Sequence, residues 1–264
     1  MKCYKRGRKH IAGLVKERID SWDEKDPPND LITWFLENSK KEGHTVERIT
    51  IAVLQTNMAA IHTSSNTFTY ALFQLASHPE YAKQTRHEVL DVVEELGWTK
   101  AGMNRMRKID RFLRESQRMD NLTSFSMRRL VVNPKGYTFS DGTFLPSGTL
   151  LLFPSNAIHL DEKNFTNPTE FDGFRFSKIR AGDKEDSPRH QMVNTNATNL
   201  SFGMGKHACP GRFFAANELK AMMAHVLLNY DLKLEGDGES CRHTGWDFRI
   251  VPSDEKILWR KRKN

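Results

Sequence analysis

The chain has 264 residues, enough for one large domain or two small ones around a substantial core. Hydrophobic residues make up 38% and charged residues 28%, a balance that excludes a wholly disordered chain. Lysine and arginine outnumber aspartate and glutamate by 40 to 33, and the resulting +7 suits an acidic protein, a membrane surface or a nucleic acid without choosing among them.

The N-terminal run Met1-Lys-Cys-Tyr-Lys-Arg-Gly-Arg-Lys-His10 is basic and leads into no apolar core, so no signal peptide is expected. Residues 9–22 place Ile11, Leu14, Val15 and Ile19 at helical spacing. A loop with Pro27-Pro28 follows, then a helix predicted over Leu31–Lys41 and closed by Gly43. From Ile49 to Pro79, 31 residues contain no Asp, Glu, Lys or Arg. Fourteen of them are Thr, Gln, Asn, His or Ser, including His62-Thr-Ser-Ser-Asn-Thr67, too many polar groups for a lone span in hydrocarbon. The pattern predicts a long buried helix over 46–78, capped near Thr45, about 50 Å long at 1.5 Å per residue.

Pro79 opens an amphipathic helix, Glu80–Leu96, that Gly97 ends. Another helix is predicted over 108–119. Strand-like runs follow at Ser124–Val132, Tyr137–Phe139 and Thr143–Phe153, broken by Asn133-Pro, Asp141-Gly and Pro146-Ser-Gly. Residues 154–200 are rich in turn formers, with a polar stretch at 180–199. Helical periodicity returns over Gly211–Asn229, and Tyr230–Leu234 and Trp246–Trp259 read as strands. There are no internal repeats. The fold class is mainly α (α+β), one domain over 1–264 with small sheets.

The segment 199–212, Asn-Leu-Ser-Phe-Gly-Met-Gly-Lys-His-Ala-Cys-Pro-Gly-Arg, carries chemistry. Its glycines permit tight turns at positive φ, and Cys209 precedes a helix N-terminus, where backbone N–H groups and the helix dipole stabilise a thiolate. Such a thiolate could ligate a metal from beneath a flat cofactor; alternatively Cys209 is a small buried hydrophobe. Gly203-x-Gly205-x-x-Ala208 formally matches a dinucleotide fingerprint, but no β-branched strand precedes it and Pro210-Gly211 breaks the helix that fingerprint needs. Cys3, Cys209 and Cys241 form no CxxC pair, which argues against a zinc ribbon or a disulfide framework and for a reducing compartment.

Phe202-Gly-Met-Gly205-Lys-His207-Ala-Cys209-Pro-Gly211 resembles the haem-binding signature of the cytochrome P450 family, matching at Phe202, Gly205, His207, Cys209 and Gly211, and the resemblance implies that Phe202, Gly203 and Gly211 line the cofactor. Further matches follow the family's order. Glu115-x-x-Arg118 resembles its helical ExxR motif, with i, i+3 spacing on one helix face. Asn167–Phe176 resembles its aromatic–arginine segment, whose Arg175 would join Glu115 and Arg118 in a polar network. Ala59-Ala60-Ile-His62-Thr63 resembles its oxygen-activating helix, with Ala at 60 and His at 62 where the commonest pattern has Gly and an acid. Fungal enzymes of terpenoid and other secondary metabolism look similar through this stretch.

The resemblance implies that Cys209 is the proximal ligand of haem b (iron protoporphyrin IX), making it the metal-binding residue. It implies that Thr63 and His62 deliver protons, that His207 and Arg128 or Arg129, with Arg129 favoured, hold the propionates, and that Leu122–Phe125 lines the substrate side. The implied activity is a haem-thiolate monooxygenase that uses O2 to oxidise an apolar, terpenoid-like small molecule. Electrons would come from NADPH-cytochrome P450 reductase, docked near Lys206 and Arg212, with cytochrome b5 as a second donor. No nucleic-acid motif accompanies the basic charge, so no nucleic-acid partner is expected.

Full-length relatives are expected at the cytosolic face of the endoplasmic reticulum membrane, whereas this chain shows neither anchor nor signal. The resemblance covers the C-terminal haem-binding half, so the long helix is expected to lack about half of its packing partners and to expose an apolar patch. The alternative reading is a truncated, non-catalytic fragment with weak or no haem binding. Carbon monoxide bound to the reduced protein discriminates the two.

Overall fold

A computed structural model describes residues 2–23, 25–39, 43, 45–178, 191–236 and 255–263. Two compact units emerge, residues 1–63 and 64–264. In the first, α1 (Lys2–Asp20) packs against α2 (Leu31–Ser39). Val15 and Leu36 form a small core with Ile49 and Val53 from the start of α3 (Val46–Ser77). Asp30 sets the beginning of α2: its carboxylate accepts the Thr33 amide and both Arg18 Nη groups, each at 2.9 Å. The Arg18 guanidinium holds the Asp30 pKa below its ordinary value. Helix α1 begins seven residues before the predicted position 9, because Tyr4 and Arg8 both reach Glu47 and anchor the extra turns.

Helix α3 has the predicted extent, but burial divides it. From Ser64 onward Thr67, Phe68, Tyr70, Ala71, Leu72 and Leu75 are buried. Upstream, Ile49, Thr50 and Val53 are buried but Met58 is 68% and Ile61 63% exposed, so the expectation of burial fails over the middle stretch 55–63, where the expected apolar exposure lies.

In the second unit, α4 (Pro79–Leu96), α6 (Arg107–Met119) and α9 (Arg212–Asn229) enclose the main core of Val89, Phe112, Leu113, Leu219, Met223 and Leu227. Gly97 ends α4 at φ 63°, in the left-handed region. Helix α5 (Lys100–Arg105) has no counterpart in the predicted elements; the Thr99 hydroxyl caps it by accepting the Gly102 amide at 3.1 Å. Glu88 serves α6 similarly, accepting the amides of Arg107, Lys108 and Ile109.

The strands form three antiparallel pairs: β1 (Ser126–Leu130) with β4 (Leu150–Phe153), β2 (Tyr137–Thr138) with β3 (Phe144–Leu145), and β5 (Tyr230–Leu234) with β6 (Ile257–Lys261). Of the predicted strand Trp246–Trp259, residues 246–254 lie outside the described residues; Glu255 and Lys256 are not in a strand, and the described strand runs Ile257–Lys261. Short helices α7 (Ser155–His159) and α8 (Arg175–Lys178) interrupt the turn-rich region. Among the described residues no helix is long and apolar enough to cross a membrane.

Candidate functional site

Helix α6 is rich in charge, Arg-Lys-Ile-Asp-Arg-Phe-Leu-Arg-Glu-Ser-Gln-Arg-Met, yet every residue from Ile109 to Met119 is buried. Charges there must be paired or hydrogen-bonded. Glu115, with no exposed surface, accepts Arg118 Nε and Nη2 at 2.8 Å each, Arg175 Nε at 2.9 Å and the Asp172 amide at 3.1 Å. The remaining guanidinium donors meet backbone carbonyls. Arg118 reaches His159 and Pro168 at 2.8 and 2.7 Å, and Arg175 reaches Thr166, Asn167 and Glu170. Arg118 also lies over the Phe165 ring, 5.0 Å from its centroid. The structure thus brings the three predicted network residues together around one carboxylate.

The cysteine loop hangs from this framework. Gly203 and Gly205 have φ of 69° and 72°, conformations that L side chains rarely adopt. The fold-back they create lets the Cys209 amide donate to the Phe202 carbonyl at 2.8 Å, while the Gly203 amide donates to Leu200 at 2.9 Å. Phe202 packs against the main core and anchors the loop. Cys209, a half-buried free thiol, lies two residues before the N-cap position Gly211 of α9. A Cβ at Gly211 would sit 3.9 Å from Cys209 Sγ, so glycine keeps that flank of the sulfur bare. The Cys209 carbonyl is held by Arg212, whose Nη1 donates at 2.9 Å.

Among the described residues no group of three or more His, Cys, Asp or Glu side chains is placed to hold a metal ion. Cys209 would fit a metal whose other donors come with the group itself. A porphyrin supplies four in one plane, and a lone thiolate at a helix N-terminus fits that division.

The Cytochrome P450 family model matches residues 1–259. The chain belongs to the cytochrome P450 family. Its curated relatives include fungal proteins. Cytochrome P450 monooxygenase 151 of Postia placenta is 43% identical over 253 residues, covering 95% of this chain and 50% of that protein. Ent-kaurene oxidase of Gibberella intermedia is 36% identical over 260 residues, covering 97% of this chain and 48% of that protein. The chain spans about half the length of the curated P450 relatives it matches.

The other predicted positions of this P450 chain divide by unit. In the second, Arg128 and Arg129 are both exposed on β1, and Arg129 donates to the Arg128 carbonyl at 2.8 Å. A bulge between Ser126 and Arg129 contains Met127 at φ 50°, and the Met127 side chain approaches Gly203, which puts this strand beside the loop. His207 is exposed in the tight turn Gly205–His207. In the first unit, His62 and Thr63 are exposed on α3, and the Thr63 hydroxyl donates to the Ala59 carbonyl at 2.6 Å. The next residue, Ser64, belongs to the second unit, and its hydroxyl donates to Glu218 on α9 at 2.7 Å.

Sequence reading passed over His159. Fully buried at the end of α7, it accepts the Leu200 amide through Nε2 at 2.9 Å. Its only signal was a histidine eight residues before Asn167-Pro, in a segment otherwise read as turns.

Proposed function

We propose that this chain is the haem-thiolate portion of a monooxygenase that inserts one oxygen atom from O2 into an apolar, terpenoid-like small molecule. The observation that supports this most is the placement of Cys209: its amide tied to Phe202, its sulfur flanked by glycine, and α9 beginning three residues later at Arg212. Haem b, when bound, supplies the one-electron and oxygen chemistry, and a thiolate ligand favours O–O cleavage. Cys209 would hold the iron, with Phe202, Gly203 and Gly211 shaping the thiolate's side of the loop. His207 and Arg129, both exposed beside it, would meet the propionates. Glu115, Arg118 and Arg175 brace the framework from which the loop projects. Thr63, its own proton donated to Ala59, keeps an acceptor lone pair for an ordered water, and His62 one position earlier would exchange protons with solvent.

Electrons would come from an NADPH-cytochrome P450 reductase, with cytochrome b5 as a second donor, as the fungal relatives' family membership suggests. Exposed Lys206 would offer an acidic surface its charge, whereas half-buried Arg212 is committed to the Cys209 carbonyl and the Phe213 ring. The name ent-kaurene oxidase on one relative supports the terpenoid class.

Full-length relatives would work at the endoplasmic reticulum membrane. A second reading is favoured by the exposure of Met58, Ile61 and Thr63: a fragment that takes up haem weakly and turns nothing over. Haem titration followed by the reduced, carbon-monoxide difference spectrum separates them. The thiolate-shifted band is expected from the unmodified chain and absent from Cys209→Ser. An unchanged spectrum and unchanged haem uptake in that variant would overturn the haem-thiolate reading. A band without substrate turnover would favour the fragment.

A further inference from the structure

Two separate groups on His159 are in use. Its backbone carbonyl accepts Arg118 Nη1 at 2.8 Å, and its ring Nε2 accepts the Leu200 amide at 2.9 Å. A ring nitrogen that accepts carries no proton, so the neutral imidazole keeps its proton on Nδ1. Among the described residues Nδ1 has no hydrogen-bond partner. A buried ring that leaves one nitrogen unsatisfied so that the other can accept is held for what it accepts. Beyond Leu200 the path is continuous. The Leu200 carbonyl accepts the Gly203 amide at 2.9 Å, and the Phe202 carbonyl accepts the Cys209 amide at 2.8 Å.

We infer that His159 is a positioning residue for the cysteine loop, joining the Glu115–Arg118–Arg175 ion-pair network to Leu200 and, through the fold-back, to Cys209. Burial supports the neutral form: it pushes the His159 pKa down to about 4, with the neighbouring Arg118 and Arg114 charges acting in the same direction. A protonated ring would have no acceptor to offer Leu200. The link is part of the polypeptide itself, and only its consequence for metal ligation rests on the haem-thiolate reading.

The test uses the full chain, unmodified and as His159→Phe and His159→Gln. Phenylalanine keeps a ring but removes the acceptor; glutamine places its Oε1 near the position of Nε2. In the unmodified protein, nitrogen-15 spectra at neutral pH should show Nδ1 protonated and Nε2 bare. Hydrogen exchange at the Leu200 amide should be at least tenfold faster in His159→Phe, remain close to the unmodified rate in His159→Gln, and be unchanged at Val89 in all three. In haem-loaded protein the thiolate-type fraction of the carbon-monoxide spectrum should fall by at least half in His159→Phe and recover in His159→Gln.

A proton on Nε2 in the unmodified chain, or Leu200 exchange indifferent to His159→Phe, would overturn the link. Should the phenylalanine variant fail to fold, the tautomer and the glutamine variant still decide. Absence of a thiolate band from the unmodified chain counts against the haem-thiolate reading alone, since tautomer and exchange are measured without haem.

Discussion

Replacing Glu115 by Gln perturbs the buried network with almost no change in shape. Glu115 accepts four hydrogen bonds, three of them from the two guanidinium groups of Arg118 and Arg175 at 2.8–2.9 Å. The amide retains one oxygen acceptor, turns a donor toward donors, and removes the negative charge shared by two cations that are 2% and 8% exposed. Breaking a buried ion pair by removing one partner costs about 3–5 kcal/mol, because the charge left behind stays desolvated. The carbonyls of His159, Pro168, Thr166, Asn167 and Glu170 still receive the outer donors, so the two pairs should not add to twice that figure. For a unit of about 200 residues each kcal/mol moves the thermal midpoint about 2–4 °C, giving a fall of roughly 6–20 °C. Urea unfolding followed by circular dichroism measures the free energy directly, and an unchanged m-value shows that the unfolded state is not responsible. A loss below about 1 kcal/mol would refute the burial and pairing assigned to this carboxylate.

Three further outcomes are expected. Gly203→Ala must place a side chain at φ 69°; the nearest atoms to its Cβ stand at 3.8 Å, so the cost is conformational, about 1–2 kcal/mol, and haem uptake should fall with it. Gly142→Ala, at φ 88° in open space on the turn between β2 and β3, should lose similar stability and leave haem uptake alone. If both variants weaken uptake equally, loop geometry is not what Gly203 contributes. Acid should act through His159. Its folded pKa of about 4 lies below the ordinary 6.5, so the unfolded chain binds the extra proton and stability falls as pH drops through that interval. The loss approaches about 3 kcal/mol at 1.36 kcal/mol per pKa unit. Urea midpoints compared between pH 6.5 and 4.5 should show a steeper decline for the unmodified chain than for His159→Gln, and parallel declines would remove the assignment.

What the residues disclosed depended on whether the deciding interaction was local. Helix α4 was fixed by Pro79 at its first turn and Gly97 past its last, both acting within one turn of the boundary, and its limits were legible. The cysteine fold-back was equally legible, since two glycines at positive φ and Cys209 sit within seven consecutive residues. The thiol's setting follows from their order. Helix α5 depends on a single threonine cap and has only six residues, too few to show a period. The start of α1 depends on Glu47, 43 residues from Tyr4, and pairing at that separation leaves no trace in local spacing.

Helix α6 shows why the ion-pair network was legible only through resemblance. Glu115 and Arg118 stand three apart, as exposed pairs on countless surface helices do, and its polar sequence argues for a solvated face. Burial makes the difference. Arg175, 60 residues away, and carbonyls from the turn-rich stretch 159–170 are what make that burial tolerable. His159 belongs to the same arrangement, and its role is invisible in sequence for the same reason: both of its partners, Arg118 and Leu200, are 41 residues away. Helix α3 carries the argument in reverse. Its polar run was read as one feature, yet Ser64 is buried against Glu218 while Thr63, one residue earlier, is exposed and bonded to its own helix. A single helical step of about 100° separates a hydroxyl bonded to another helix from one turned back onto its own.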